Sequence, residues 1–386
     1  MFSVSSVPSV ASVADALLEM DERRYLDLIA GRTRGPVAAA TRAALGALAL
    51  PYRAVTGLRN AWFDYVAFPA WLDVPTISVG NLTVGGTGKT PLTLWLCERL
   101  LGRGLKPAVL SRGYRADEEG RADELMLVTR RCPKAVAVGH PDRAASGRLA
   151  IEEYHVRAAI LDDGFQHRRL GRDLDIVLID AMEPWGHGRL LPRGLLREHP
   201  KGLRRADVAV ITRCDQVEAD ALAALTRTIN ELNPDIPVIR CAHEPTGFVD
   251  LHDQEMALSK SARIGLFAGI ARPEAFARTM AGFHAAPADT FWWPDHHIYS
   301  PEDARELIAW SRDARLDALV TTEKDAVKLA GLEVDWPVPV AALRIEIEFW
   351  GHDDKILERL IDQALEEYKN VRESQPRSDP DAGHAR

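Results

Sequence analysis

The sequence predicts an α/β fold, a mostly parallel sheet flanked by helices, followed by a smaller C-terminal α/β unit. Three observations predict it. Short apolar segments ending in polar residues alternate with helical periodicity between residues 73 and 242. The first of these segments enters a glycine-rich turn that opens into a helix. A second alternating set begins near Ile264. Strands that alternate with helices pair in parallel and are covered on both faces. Their ligands gather at C-terminal strand ends.

The glycine-rich turn carries the clearest chemistry. Thr76-Ile77-Ser78-Val79 is a short strand, Thr83-Val84-Gly85-Gly86-Thr87-Gly88 the turn, and Lys89-Thr90 the start of a helix. Leu92, Trp95, Leu96, Leu100 and Leu101 line one face of that helix. Such a loop wraps backbone N–H groups around a phosphate at the positive end of a helix dipole. Glycine permits the unusual backbone angles and the close approach. Lys89 then reaches the β- and γ-phosphates, and the Thr90 hydroxyl binds Mg²⁺. The pattern places this fold in the P-loop NTPase class, with one departure: Thr83 stands where the motif's first glycine belongs.

The whole chain has 386 residues, enough for one large core or two smaller ones. Its net charge of −8 argues against a nucleic-acid partner. Cys97, Cys132, Cys214 and Cys241 form no C-x-x-C pair and, with no basic n-region for a secretory signal, read as reduced cytoplasmic thiols. Residues 1–36 read as an N-terminal extension with a short helix near Val13, capped by Ser12.

Residues 37–72 combine an Ala/Leu-rich helix, which Pro51 breaks, with dense aromatics and Arg42, Arg53 and Arg59. No run reaches the ~20 apolar residues that a bilayer span needs. The composition suits a helix in a membrane interface, and equally an amphipathic helix packed on the protein's own core.

In the unit 73–242, Ala108–Ser111 is a second strand, leading to Arg112. Asp123-Glu124 precede the strand-like Leu125–Val128. Val136–Val138 is a strand and 141–156 a helix. Ala158–Leu161 is a buried strand that delivers Asp162 and Asp163. A carboxylate at such a strand end, downstream of a phosphate loop, holds Mg²⁺ directly or through water. Strands at Asp175–Asp180 and Asp207–Thr212 follow, the second ending in a turn at Arg213. His243–Gly247 reads as a connector to the smaller unit, residues 243–370. That unit has strands at Ile264–Ala268, Thr290–Trp293, Asp317–Thr321 and Val338–Phe349, with helices at Pro273–Gly282, Pro301–Ala314 and Asp354–Tyr368. Residues 371–386 are Ser-, Pro-, Asp- and Arg-rich and read as a disordered tail.

Four stretches converge on a known family: VGNLTVGGTGKTP with LSRGYR, LDDGFQHRRL, PDHH and TTEKDAVKL. Together they resemble the tetraacyldisaccharide 4′-kinases of lipid A synthesis, over roughly residues 37–366. The resemblance implies a peripheral enzyme at the cytoplasmic face of the inner membrane. Using ATP and Mg²⁺, it phosphorylates a tetraacylated glucosamine disaccharide 1-phosphate at its 4′-hydroxyl. It also implies that residues 37–72 contact the membrane. Thr83–Thr90 correspond to the nucleotide loop, and Thr90, Asp162 and Asp163 to the metal site. Asp123 falls at the family's catalytic aspartate and His296 at its assisting histidine, with His297 adjacent. The glycine and proline that flank this aspartate in the family are replaced by Ala122 and Leu125. Asn81, Arg112, Gln166, His167 and Arg197 are candidate acceptor contacts. Two other readings compete: a ParA-like ATPase and a nucleotide-gated membrane scaffold. The first carries a lysine before the double glycine, where this chain has Val84.

Overall fold

A computed structural model of the chain describes residues 22–113 and 123–374. The expected helix near Val13, the residues Tyr114–Ala122 and the tail from residue 375 lie outside the described residues.

Among the described residues, twelve strands form one sheet. The N-terminal half contributes β1 (Thr76–Asn81), β2 (Pro107–Ser111), β3 (Val136–Gly139), β4 (Ala158–Asp162), β5 (Leu174–Asp180) and β6 (Val208–Thr212). The C-terminal half contributes β7 (Val238–Asp250), β8 (Glu255–Met256), β9 (Ile264–Ala268), β10 (Asp289–Trp292), β11 (Ala318–Thr322) and β12 (Val340–Phe349). The spatial order is β10-β9-β11-β12-β7-β6-β5-β1-β4-β2-β3, and β8 pairs off β7. Pairing is parallel except where β7 meets β12 and β8. Strands β1, β2, β4, β5 and β6 are buried along their whole length, as a sheet covered on both faces requires.

The helices are α1 (Glu22–Ile29), α2 (Pro36–Tyr65), α3 (Lys89–Gly102), α4 (Asp123–Arg131), α5 (Arg143–Tyr154), α6 (Ala219–Leu232), α7 (Pro273–Phe283), α8 (Pro301–Asp313), α9 (Glu323–Leu329) and α10 (Asp353–Ser374). Leu92, Leu96 and Leu100 of α3 and Leu357 and Ile361 of α10 pack on Ile77, Ile160 and Val210 on one sheet face. Leu222, Leu225 and Ile229 of α6 pack on Val177, Ala209 and Ile211 on the other.

Four expectations need correction. Leu125–Val128 is helical, within α4. Asp123 and Glu124 in its first turn and Arg130 and Arg131 in its last complement the helix dipole, a signal that a short apolar run hides. His243–Gly247 is not a connector but the middle of β7, so the expected boundary at 242/243 falls inside a strand. The first three residues of β7 pair with β6 and the rest with β12. Its Pro245 sits at a register shift, where a missing N–H is tolerated. Pro51 does not break its helix; α2 continues through it. The residue is exposed, and the good helix formers around it carry the helix past one lost hydrogen bond. Finally, α10 continues to Ser374, beyond the expected tail boundary.

Helix α2 lies across the N-terminal half. Leu45 is buried with Leu28, Ile29, Ala38 and Leu195. Arg42 donates to the Leu28 and Thr33 carbonyls and so caps the end of α1. The opposite face is apolar and exposed: Leu48, Val55, Leu58, Trp62 and Tyr65 recur at helical spacing, and Phe68 beyond the helix is 96% exposed. No helix among the described residues is long and apolar enough to cross a membrane.

Candidate active site

The phosphate loop leaves β1 at Asn81, whose Nδ2 donates to the Thr83 carbonyl at 2.8 Å. Val84 N donates to Leu195 O at 2.8 Å, tying the loop to residues 186–197. Gly85 and Gly88 have φ of 116° and 88°, a left-handed region that favours glycine. A Cβ on Gly88 would stand 2.3 Å from His243 Nε2, so the loop has no space there. No side chain caps α3, which starts at Lys89. Its first N–H groups therefore remain available to an anion. The Thr87 carbonyl accepts from the Thr212 hydroxyl at 2.9 Å and the Gly86 carbonyl from Arg213 at 2.8 Å. Arg213, expected to be a plain turn residue, thus braces the loop. Lys89 Nζ lies 3.2 Å from Asn81 Oδ1 and 3.4 Å from Asp163 Oδ1.

The two aspartates after β4 differ. Asp163 has Arg197 at 2.6 Å and Lys89 at 3.4 Å. Burial would raise its pKa, but these cations hold the carboxyl well below the usual range. Asp162 is buried and its Oδ1 has no hydrogen-bond partner. Burial, reinforced by the Glu124 carboxylate, pushes it up to about 6. Asp162, Thr90 and Glu124 line one small interior void, closed by Thr93 and the apolar side chains of Val109, Leu125 and Val128.

Asp123 opens α4, and the His296 Nδ1–H donates to its Oδ2 at 3.0 Å and Oδ1 at 3.2 Å. His296 has φ of 60°, an uncommon angle for a residue other than glycine. Its N–H donates to Gly269 O at 3.0 Å, which ties the turn after β10 to the end of β9. Burial opposes ionisation of Asp123, but His296 and Lys324 overcome it and hold the carboxyl far below its ordinary value. The same hydrogen bond raises His296, against its own burial. His297 faces elsewhere, 3.2 Å from Asp303 and stacked on Trp293. Asp123, Glu124 and His296 offer ligand atoms within 4.8 Å of one another.

Helix α9 brings two lysines to this group from the C-terminal half. Lys324 Nζ is 2.7 Å from Glu124 Oε1. Burial disfavours its charge, yet Glu124 and Asp123 more than reverse this and raise its pKa. Lys328 is 2.8 Å from Asp325 and 3.8 Å from Asp123.

Among the expected acceptor contacts, three are linked. Gln166 Nε2 donates to Asn81 O and Glu198 Oε1, both at 2.9 Å, and Arg197 reaches Asp163. Helix α2 covers this layer: Arg59 donates to Gln166 O at 2.6 Å and Tyr52 to Arg197 O at 2.9 Å. His167 is half-buried beside it, and burial with Arg143 lowers its pKa to about 4. Arg112 is exposed just beyond β2.

Glu124, Arg213, His243, Lys324 and Lys328 were not singled out from sequence. Glu124 and Lys324 sat inside motifs already noted, but a motif gives no direction for a side chain.

Comparison with known proteins gives the arrangement a family. The profile described as LpxK, tetraacyldisaccharide-1-P 4′-kinase, matches residues 41–366. The chain belongs to the tetraacyldisaccharide 4′-kinase family. A tetraacyldisaccharide 4′-kinase from Anaeromyxobacter sp. (strain K) is 37% identical over 352 residues, covering 86% of this chain and 93% of the relative. One from Syntrophus aciditrophicus is 37% identical over 346 residues, covering 82% and 91%. The crystal structure of LpxK from Aquifex aeolicus, in complex with ATP, is similar with a TM-score of 0.66 and 28% identity, covering 84% of this chain and 99% of that one. As a member of that family, the chain is a phosphotransferase of lipid A biosynthesis that acts on tetraacyldisaccharide 1-phosphate. Neither a ParA-like ATPase nor a scaffold role is favoured.

Proposed function

We propose that the transfer uses ATP with Mg²⁺ at the cleft between α3, β4 and α4, with the enzyme seated on the cytoplasmic face of the inner membrane. In this reading residues 73–242 form the kinase core and 243–370 a smaller unit that completes the site.

The fit to a hard divalent cation rests on its donors. Thr90 and the carboxylates of Glu124 and Asp162 are oxygen ligands of the kind Mg²⁺ takes, and Asp162 Oδ1 lacks a partner. Asp163, engaged by Lys89 and Arg197, instead orients those two cations. When bound, Mg²⁺ would neutralise developing phosphate charge. The loop amides and Lys89 hold the phosphates in line with the acceptor. The acceptor 4′-oxygen forms the new bond to phosphorus as the β–γ bridging bond breaks, ADP leaves, and the hydroxyl proton passes to Asp123. A strongly ionised carboxylate is a weak base. It suffices because a loose transition state releases the proton late. His296 keeps Asp123 aimed, and Gln166, His167, Arg112, Asn81 and Arg197 border the acceptor.

Helix α2 supplies the membrane contact. Its exposed apolar stripe enters the headgroup region, while its polar face rests on the Gln166–Arg197 layer, next to the site. Phosphoryl acceptors with acyl chains in the bilayer then meet the site without leaving the surface.

The observation that carries the reading is the unpartnered Asp162 oxygen beside Thr90 at the end of the phosphate loop. Titrating ATP with and without Mg²⁺ tests it. Wild type is expected to gain affinity or heat from Mg²⁺, and Asp162→Asn to lose most of that gain. Equal Mg²⁺ dependence in both would place the metal elsewhere.

A further inference from the structure

Helix α9 comes from the C-terminal half, yet it projects a cation into the core. Its start is clamped. The Thr322 hydroxyl accepts from Asp325 N at 3.2 Å and donates to Asp325 Oδ2 at 2.9 Å; that carboxylate, fully buried, also accepts from Gly269 N at 3.1 Å. This fixes the turn that carries Lys324. Two other carboxylates of the site have their own partners. Asp123 is held by His296 at 3.0 Å, with Lys328 at 3.8 Å. Asp163 is held by Arg197 and Lys89. Glu124 alone of the cavity-lining carboxylates has a lysine directly on it, at 2.7 Å. Its neighbour in the same cavity, Asp162, is more than nine-tenths buried with one oxygen unpartnered.

We propose that Lys324 is a placeholder for the metal: its ammonium occupies Glu124 in the nucleotide-free enzyme and yields that carboxylate when the divalent ion arrives with ATP. The inference rests on the metal-site reading above. A lysine suits the task because its compact charge rides on a flexible four-carbon stem and can move a few ångströms without moving the helix. The consequence is an order of events. A bare divalent ion must displace a cation from a half-shielded carboxylate, and like charges at this range repel strongly. A nucleotide brings the negative charge that offsets the ammonium, so metal enters as the nucleotide complex. The released ammonium, still held near by α9, is then free to face the phosphoryl oxygens.

A purely structural salt bridge between the halves would behave differently. In a partly buried pair the Coulomb attraction is largely offset by desolvation, and removing it would not improve metal binding. Mn²⁺, added alone to the nucleotide-free full-length protein and followed by electron paramagnetic resonance, separates the two. Lys324→Met is expected to bind one Mn²⁺ about tenfold or more tightly than wild type, while its kcat with saturating MgATP falls about tenfold or more. Lys324→Arg should resemble wild type in both. Adding Asp162→Asn to Lys324→Met should abolish the gained site. Should Lys324→Met fold poorly, as judged by its thermal transition, Lys324→Gln is read in its place. Mn²⁺ binding by the folded variant no tighter than wild type would overturn the placeholder role. Glu124→Gln and Asp162→Asn in the wild-type background test the reading beneath it. If both bind Mn²⁺ with ATP as wild type does, the metal site itself is elsewhere and the proposal falls with it. If they weaken that binding while Lys324→Met shows no gain, the site stands and only the placeholder role is lost.

Discussion

His296 donates to Asp123 across 173 positions of sequence, at 3.0 Å. Asp123 opens α4 in the N-terminal half and His296 follows β10 in the C-terminal half, so the base is aimed only when both halves are in place. Asp123→Ala should therefore lower kcat by about 10²–10⁴-fold, the range of general base catalysis, with ATP affinity little changed. His296→Ala should cost less, and the double variant little more than Asp123→Ala alone, because paired residues act as a unit. Steady-state kinetics on purified variants decides this. A change confined to the Mg²⁺ requirement in Asp123→Ala would exchange its role with that of Glu124.

The phosphate loop has two separable requirements. Lys89→Ala removes the charge facing the γ-phosphate and should abolish transfer while the thermal transition stays near wild type. Gly88→Ala should weaken ATP binding, because the new methyl meets His243 and the backbone angle is left-handed. Shrinking the neighbour in Gly88→Ala/His243→Ala should restore part of that affinity. Near-normal turnover by Lys89→Ala would remove the loop from the chemistry.

Two histidines are held neutral. Burial, aided by Arg213, lowers His243 to about 3, and burial with Arg143 lowers His167 to about 4. The unfolded chain takes up these protons near pH 6.5, well before the folded protein does. Stability from this source is complete above pH 6.5 and declines as pH falls from 6.5 toward 4 for His167 and toward 3 for His243. Urea midpoints should drop over that window, and drop less for His243→Gln. Parallel curves for wild type and variant would show that His243 is protonated in the folded state.

The membrane face can be told from the packing face of the same helix. Leu48, Val55 and Leu58 are exposed, whereas Leu45 is buried at 2%. Replacing the first three with Ser should release the protein from vesicles and lower activity on membrane-presented acceptor, with ATP binding retained. Leu45→Ser should instead lower the thermal transition, since it deletes buried apolar contact. Vesicle flotation of each variant reads the difference. A triple variant that still floats fully with the vesicles would move the anchor away from α2.

Much of the fold was legible because its strands are short, fully apolar and bounded by polar ends. Ile160-Leu161 before Asp162 and Val210-Ile211 before Thr212 leave little alternative. Two of the failures share a cause. Leu125–Val128 and His243–Gly247 are short segments whose state is set by what they pack against: α9 and β12 select helix and strand where local pattern does not. The site divides in the same way. The loop, Asp162, Asp163, Asp123 and His296 sit in motifs. Lys324 on Glu124, Arg213 on Gly86 and His243 on Gly88 are contacts between distant segments, and sequence spacing says nothing of them. Within residues 37–72, the Leu45 and Arg42 side chains turn inward because α1 covers that side of α2.

The central claim is that Asp123, from the core and aimed by His296 from the C-terminal half, takes the proton of the acceptor hydroxyl beside a nucleotide held by Lys89. Transfer of labelled γ-phosphate from ATP to tetraacyldisaccharide 1-phosphate in mixed micelles measures it directly. Wild type should place the label on the 4′-position, and Asp123→Asn should not, although it still binds ATP. Label on the lipid at comparable rates in both would contradict the account.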